Sequence, residues 1–266
     1  MKNGFSVFLA SFLALGLSWS GFVLGSAKQL GTQKQAAVLN STDVYPIQRS
    51  GAAALGLQVY RANGCAACHT EQVRQVDVTC EVVLTSAGKK PTVVSNLLST
   101  LKLAGLTREE ADAASDKISA AGGSVETHIV PVGVEIPRWG LRQSVAADYL
   151  YDAPVQLGSL RAGPDLANVA ARFPDLNWQL VHLYAPQAVV KNSAMPPFRF
   201  LFEVRKIKPG DAPSPDALKF PQGFAPAAGS EVVPTTQAKE LAAYLLSLKA
   251  DAPLYEAPFT AVTTKP

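Results

Sequence analysis

The chain opens on a long uncharged run and then alternates between periodic segments and stretches without period. Residues 4–27 carry no charge, with Lys2 before them and Lys28 after. A membrane-spanning helix needs ~20 apolar residues, and this run has the length. A cleaved signal peptide is the competing reading, with small residues at Ser18, Ser20, Gly25 and Ala27. Residues 28–50 are polar and read as an exposed tether. Residues 51–62 carry apolar side chains at helical spacing, with Gly64 as the stop just beyond. Gly56 and Tyr60 are one turn apart and share a face.

Further on, residues 81–84 predict a strand and residues 91–104 a helix. Thr107-Arg-Glu-Glu110 is a capping box opening a second helix that runs to Ile118. Gly122 and Gly123 make a turn, and residues 125–130 alternate as a second strand. Residues 177–183 predict a helix. Residues 206–234 are rich in Pro and Gly and predict a long loop. Residues 236–249 form an amphipathic helix whose apolar stripe is Leu241, Tyr244, Leu245 and Leu248. Residues 251–266 are a polar, Pro-containing tail.

Composition narrows the chemistry. The 266 residues hold 24 Lys and Arg against 21 Asp and Glu, a net charge of +3. That balance argues against a nucleic-acid partner, which asks for a concentrated basic face. Three Cys cannot staple a chain of this length, and three His do not suit a polyhistidine metal enzyme. There are two Met, so Met195 is the only one besides the initiator.

Cys65-Ala-Ala-Cys68-His69 is the C-x-x-C-H pattern of covalent c-type haem attachment. Two thiols at that spacing can add to the two vinyl groups of one porphyrin, and the adjacent His69 then falls beneath the iron. A zinc site would need a second ligand pair at suitable spacing. For the sixth position a thioether stabilises reduced iron, and Met195, stiffened by Pro196 and Pro197, is the candidate. His182 and His128 are the alternatives from nitrogen. The helices flanking the motif, around Gly56 and Tyr244, resemble the crossed terminal helices of class I cytochromes c, where a Gly lets an aromatic pack closely.

From Tyr60 to about Phe198 the chain resembles the mono-haem subunit II of cbb3-type cytochrome c oxidases. The residues that carry the likeness are Thr70-Glu-Gln-Val-Arg74, Arg138-Trp-Gly140, Tyr151-Asp-Ala-Pro154, Gly158-Ser-Leu-Arg161-Ala-Gly-Pro164-Asp-Leu166, Arg172, Trp178, His182 and Ser193-Ala-Met195-Pro196. It departs from the family at Gln75, Ala153 and Ala170-Ala171, and in an insertion at 76–136. The resemblance implies a mainly α protein with a class I cytochrome c fold, an N-terminal transmembrane helix and a small inserted β-α-α-β module. Its parts would be an anchor (1–27), a tether (28–50), a cytochrome domain (51–250) and a tail (251–266). One covalent haem c would be held by Cys65 and Cys68, with His69 and Met195 on the iron and the Pro164 carbonyl orienting His69. Arg74, Arg138 and Arg161 would meet haem propionates or a neighbouring subunit. The implied partners are an integral-membrane oxidase core subunit and other cytochrome c subunits or a donor cytochrome. The chain itself would carry no substrate-converting site. Maturation of c-type haem places the haem domain in the periplasm of a bacterial inner membrane. A free-standing anchored cytochrome, or the small subunit of a nitric oxide reductase, would share this plan.

Overall fold

The computed structural model describes residues 4–74, 77–133 and 139–258, and the chain is mainly helical. The apolar amino terminus forms α1 (Gly4–Trp19), a π-helical segment (Ser20–Gly25) and α2 (Ser26–Gly31). Together they make one helix of 26 residues from Gly4 to Gln29, long and apolar enough to cross a membrane, with none of it buried in the protein. At 1.5 Å per residue it is about 39 Å long, more than the ~30 Å of a hydrocarbon core.

Residues 28–50 are more ordered than their polar composition predicts. The strands β1 (Ala36–Ala37) and β2 (Val44–Tyr45) pair antiparallel. The turn they enclose is tied to the carboxy-terminal segment, where Leu39 N donates to Pro253 O at 2.9 Å. The order comes from partners far away in sequence, which local composition does not reveal.

Two helices remote in sequence make the main core. These are α3 (Gly51–Ala62) and α8 (Thr236–Ser247), with Thr235 capping α8 through Ala238 N. A β-carbon at Gly56 would overlap the Glu240 carbonyl and lie 2.7 Å from Tyr244 Cβ. The helices therefore touch backbone to backbone, and the Tyr60 and Tyr244 rings meet 5.2 Å apart. Two shorter helices, α6 (Val169–Arg172) and α7 (Leu176–Tyr184), complete this layer. Val169, Leu180, Val181 and Leu183 join Tyr60, Leu241 and Tyr244 in one buried cluster.

The inserted segment is a separate unit with its own core. β3 (Asp77–Ser86) and β4 (Ser124–Val132) pair antiparallel from Asp77↔Val132 to Ser86↔Ser124. α4 (Pro91–Leu98) and α5 (Arg108–Ala120) bury Val94, Ala111, Ala114 and Ile118 against Cys80 and Val82. The capping box at Thr107 and Glu110 forms in both directions, at 3.2 and 3.0 Å. The helix expected over 91–104 stops earlier. Ser99 and Thr100 turn their hydroxyls onto the carbonyls of Asn96 and Leu97 at 2.8 Å, and local bonds of this kind compete with helix continuation. The freed chain then adds to the edge of β3, with Leu106 and Cys80 exchanging backbone bonds.

The Pro- and Gly-rich stretch is not all loop. Its ends belong to β5 (Phe202–Lys206) and β6 (Ser230–Pro234), which pair antiparallel because Phe202 and Val232 are buried in the main core. The intervening chain is fastened to α7, where the Asn177 amide bonds both backbone groups of Lys219 at 2.9 Å.

The Gly56 contact yields a test with a decided sign. Alanine is ~1 kcal/mol better than glycine as a helix former. Overpacking a tight contact costs ~1–3 kcal/mol, and here the obstacle is backbone. Gly56→Ala is expected to destabilise the protein by at least ~1 kcal/mol net, measured by urea unfolding; a stabilised variant would show that the two helices do not pack this closely.

Candidate functional site

The haem-attachment motif sits just beyond the end of α3. Asn63 ends the helix, and Gly64 adopts the left-handed conformation, φ 65°, that a sharp exit requires. Cys65–Ala67 is one 3₁₀ turn, and Cys68 N and His69 N both donate to Cys65 O, at 3.2 and 3.0 Å. Cys65 is half-buried and Cys68 exposed.

A second segment runs alongside this turn. Leu160 N, Gly163 N and Leu166 N donate to the carbonyls of Ala67, Cys68 and Thr70 at 2.9–3.1 Å. A β-carbon at Gly158 would overlap the His69 carbonyl, and one at Gly163 would overlap the His69 ring. Both glycines are needed for the two backbones to lie this close. The approach puts Pro164 O 2.8 Å from His69 Nδ1. With Nδ1–H donating there, Nε2 keeps its lone pair. Burial lowers the His69 pKa and favours the neutral ring.

His69 and Cys65 face a largely apolar cavity. Met195, Tyr60, Trp178, His182, Leu241 and Leu245 also line it. Met195 is half-buried, at the end of a turn whose Asn192 has φ 60°. His69, Cys65, Met195 and Pro164 thus gather around one space. The other candidates lie elsewhere. Arg74 is exposed and does not line the cavity. Arg161 sits on the parallel segment with φ 49° and reaches Gln72 O at 3.5 Å. His128 is on β4, 3.4 Å from Glu126, in the inserted unit. Arg138 lies outside the described residues.

The cavity contains polar groups that no motif announces as a set. Arg172 lies with its guanidinium 5.0 Å from the Trp139 ring and bonded to the Asp165 carbonyl. Its Nε is buried without a hydrogen-bond partner, as are His182 Nδ1 and Tyr60 Oη. Burial pushes the His182 pKa down to about 4, with His69 adding to the shift. Orphaned buried polar atoms are rare, and three residues that carry them line this one space. The sequence signal for Arg172 is its place behind the apolar Val169-Ala-Ala, which draws it inward with its helix.

Glu71 is a second buried charge beside the site. It is 5% exposed, accepts a bond from Tyr244 Oη at 2.7 Å, and burial pushes its pKa up to about 8 from 4.5. An acid with a raised folded-state pKa contributes stability in full below its unfolded value and loses it as pH rises through the folded value. The protein is therefore expected to lose stability from about pH 4.5 to about pH 8, and Glu71→Gln to flatten that slope. Urea unfolding at several pH values reads this; an unchanged slope in the variant would assign the dependence to other groups.

A family model described as cytochrome C oxidase, mono-heme subunit/FixO matches residues 123–212. The match spans Gly158–Leu166, Arg172, Trp178, His182 and Met195 and begins at the last strand of the inserted unit. It supports the mono-haem subunit of cbb3-type oxidases, a family whose name implies one haem and partner oxidase subunits. No curated protein matches the chain.

Proposed function

We propose that this chain, which matches the cytochrome c oxidase mono-haem subunit over residues 123–212, is a membrane-anchored c-type cytochrome relaying electrons to the core of a cbb3-type oxidase. The observation that carries the reading is the convergence of Cys65, His69 and Met195 on one apolar cavity, with Pro164 bonded to His69. Haem supplies reversible one-electron chemistry when bound. Cys65 and Cys68 would hold it through thioether bonds, and His69 Nε2 and the Met195 sulfur would ligate its iron. A thioether ligand favours the reduced state and raises the potential, which suits a relay.

The remaining residues fit such a group. Leu241 and Leu245 supply an apolar floor. Arg172 Nε, His182 Nδ1 and Tyr60 Oη lack partners inside the protein, and a macrocycle carrying carboxylates would give them acceptors. Arg172 thus takes the role expected of the other arginines. Arg74 and Arg161, outside the cavity lining, are contacts for a neighbouring subunit. The crossing of α3 and α8 at Gly56 supports a class I cytochrome c fold. The 26-residue apolar helix supports a single-pass anchor, and haem attachment chemistry favours a periplasmic haem domain. The chain would move electrons without a substrate-converting site of its own.

The reading is tested on membranes. The purified chain is expected to keep haem on a denaturing gel, to lose it in a Cys65→Ala, Cys68→Ala double variant, and to co-purify with a haem–copper core. A chain free of covalent haem would refute the reading; a haem-bearing monomer would make it a free electron shuttle. Met195→His is expected to lower the reduction potential by on the order of a hundred millivolts, since axial ligands set haem potentials over a wide range. An unchanged potential in redox titration would remove Met195 from the iron.

A further inference from the structure

We propose that Arg142 is a latch: it fastens the segment after the membrane helix, and the carboxy-terminal segment, to the haem domain, and so fixes where the haem domain stands over its anchor. The inference rests on the relay reading for its functional consequence and on the structure alone for the latch.

Arg142 is among the largest side chains fully buried in the protein, at 1% exposed. Its guanidinium pairs with Asp148 through both nitrogens, at 2.9 and 2.7 Å, and bonds Gln143 O at 2.8 Å. These contacts belong to the haem domain. Its Nε donates to Ala252 O at 2.5 Å, in the carboxy-terminal segment. Its flat face lies 5.5 Å from the Tyr45 ring, at the end of β2. One cation thus joins three parts of the chain. A guanidinium suits this task because it offers five donors in a plane and a face that stacks on aromatic rings.

The segment it holds has few other attachments. Val44 and Ile47 are exposed, at 49% and 80%. A cleft of about 300 Å³ is lined by Tyr45, Pro46 and Arg49 from this segment and by Asp148, Tyr149 and Asp152. The segment is therefore held at points, not by a continuous apolar face. Besides Tyr45, those points include the buried Pro46, Leu39 N on Pro253 O, and Arg49, which pairs with Asp152 at 2.8 Å, bonds Ser247 at 3.2 Å and lies 5.3 Å from the Tyr244 ring.

The consequence is a matter of reach. Thr32 caps the membrane helix onto Lys28 O, and Gln35 is already tied to Pro46 O at 2.8 Å. Only residues 33–34 lie between those fastenings, a span of about 10 Å across the two tied ends. Were residues 33–49 released, the same connection could extend to about 60 Å. Electron transfer falls steeply with distance, so a haem domain on the long connection would spend little time near its acceptor.

The test uses the full-length chain in its native membranes. The variants are Tyr45→Ala, Tyr45→Phe and Arg142→Gln; Tyr45 lies outside the haem domain, so its variants bypass any folding defect of Arg142→Gln. Three quantities are read: the haem spectrum and midpoint potential, trypsin cleavage after Arg49, and the rate at which the core haems are reduced by ascorbate and a mediator. Tyr45→Ala and Arg142→Gln are expected to keep the spectrum and potential, to make Arg49 cleavable, and to slow core reduction at least about fivefold, as small misplacements of reacting groups do. Tyr45→Phe, which keeps the ring and loses only the hydroxyl facing Asp148 and Arg142, is expected to leave Arg49 less cleavable than Tyr45→Ala does. Arg49 staying protected in Tyr45→Ala would overturn the latch. So would a slowed rate accompanied by a shifted potential, which would place the effect at the haem. If no haem–copper core accompanies the chain, the relay reading fails by itself, and the cleavage pattern still decides the latch.

Discussion

The contact of Gly56 with the Glu240 carbonyl is the constraint from which the main core is built. A helix pair usually keeps its axes 8–10 Å apart, with side chains between them. Here one position lacks a side chain, and the backbones meet. That contact sets the depth at which Tyr60 and Tyr244 enter the core and meet at a tilt of 55°. Tyr244 then reaches Glu71, two residues past His69, and ties the carboxy-terminal helix to the chain leaving the haem motif. Leu241 and Leu245, on the same helix, form part of the cavity lining. The wall that the motif needs thus comes from a helix more than 160 residues away in the numbering, because Gly56 admits it.

The cavity combines apolar lining with unsatisfied donors, and the two requirements pull against each other. Leucines and aromatics lower the local dielectric, which makes each unpaired polar atom costly. A fold built only for stability would replace Arg172 or pair it fully. Instead its guanidinium is held by the Asp165 carbonyl and by the rings of Trp139 and Phe173, and Nε is left buried without a partner. Burial likewise keeps His182 neutral at ordinary pH. These costs become intelligible if an acceptor-bearing group occupies the space, which is how the polar atoms and the thiol motif come to support one reading.

What could be read in the sequence follows from how local each cause is. The Cys65–His69 turn, the capping box at Thr107 and the stripe of α8 are set by residues a few positions apart, and their elements form where the spacing predicts. The crossing of α3 and α8 was expected from the resemblance to class I cytochromes c, whereas the meeting of Gly56 with Tyr244 in particular depends on the register of two distant helices. Arg172 and the order in residues 28–50 were not legible, because their partners are distant: Trp139 and Asp165 for one, Pro253 and Arg142 for the other. Polar composition suggested an exposed tether, and two arginine contacts with a backbone tie are enough to order it. The helix over 91–104 failed for a local reason with an ambiguous signal, since Ser99 and Thr100 fit a helix interior as readily as a stop.

The inserted unit shows why the main domain tolerates a long interruption between the Cys65–His69 turn and the rest of the cavity lining. β3 and β4 pair from their outer ends, Asp77 opposite Val132, so the chain leaves and returns at neighbouring points. The insertion adds to a connection whose ends stay close, and loop-closure entropy grows only slowly with length. Its apolar residues, from Cys80 to Ile118, are buried among themselves and form a cluster separate from the one around Tyr60. Neither core then depends on side chains of the other for burial. The approach of Gly158 and Gly163 to His69 is made by chain that resumes after the insertion, and its bonds to Ala67, Cys68 and Thr70 restore the continuity that the insertion breaks in sequence. The two halves of one site are thus adjacent in space and separated along the chain by a unit with its own core.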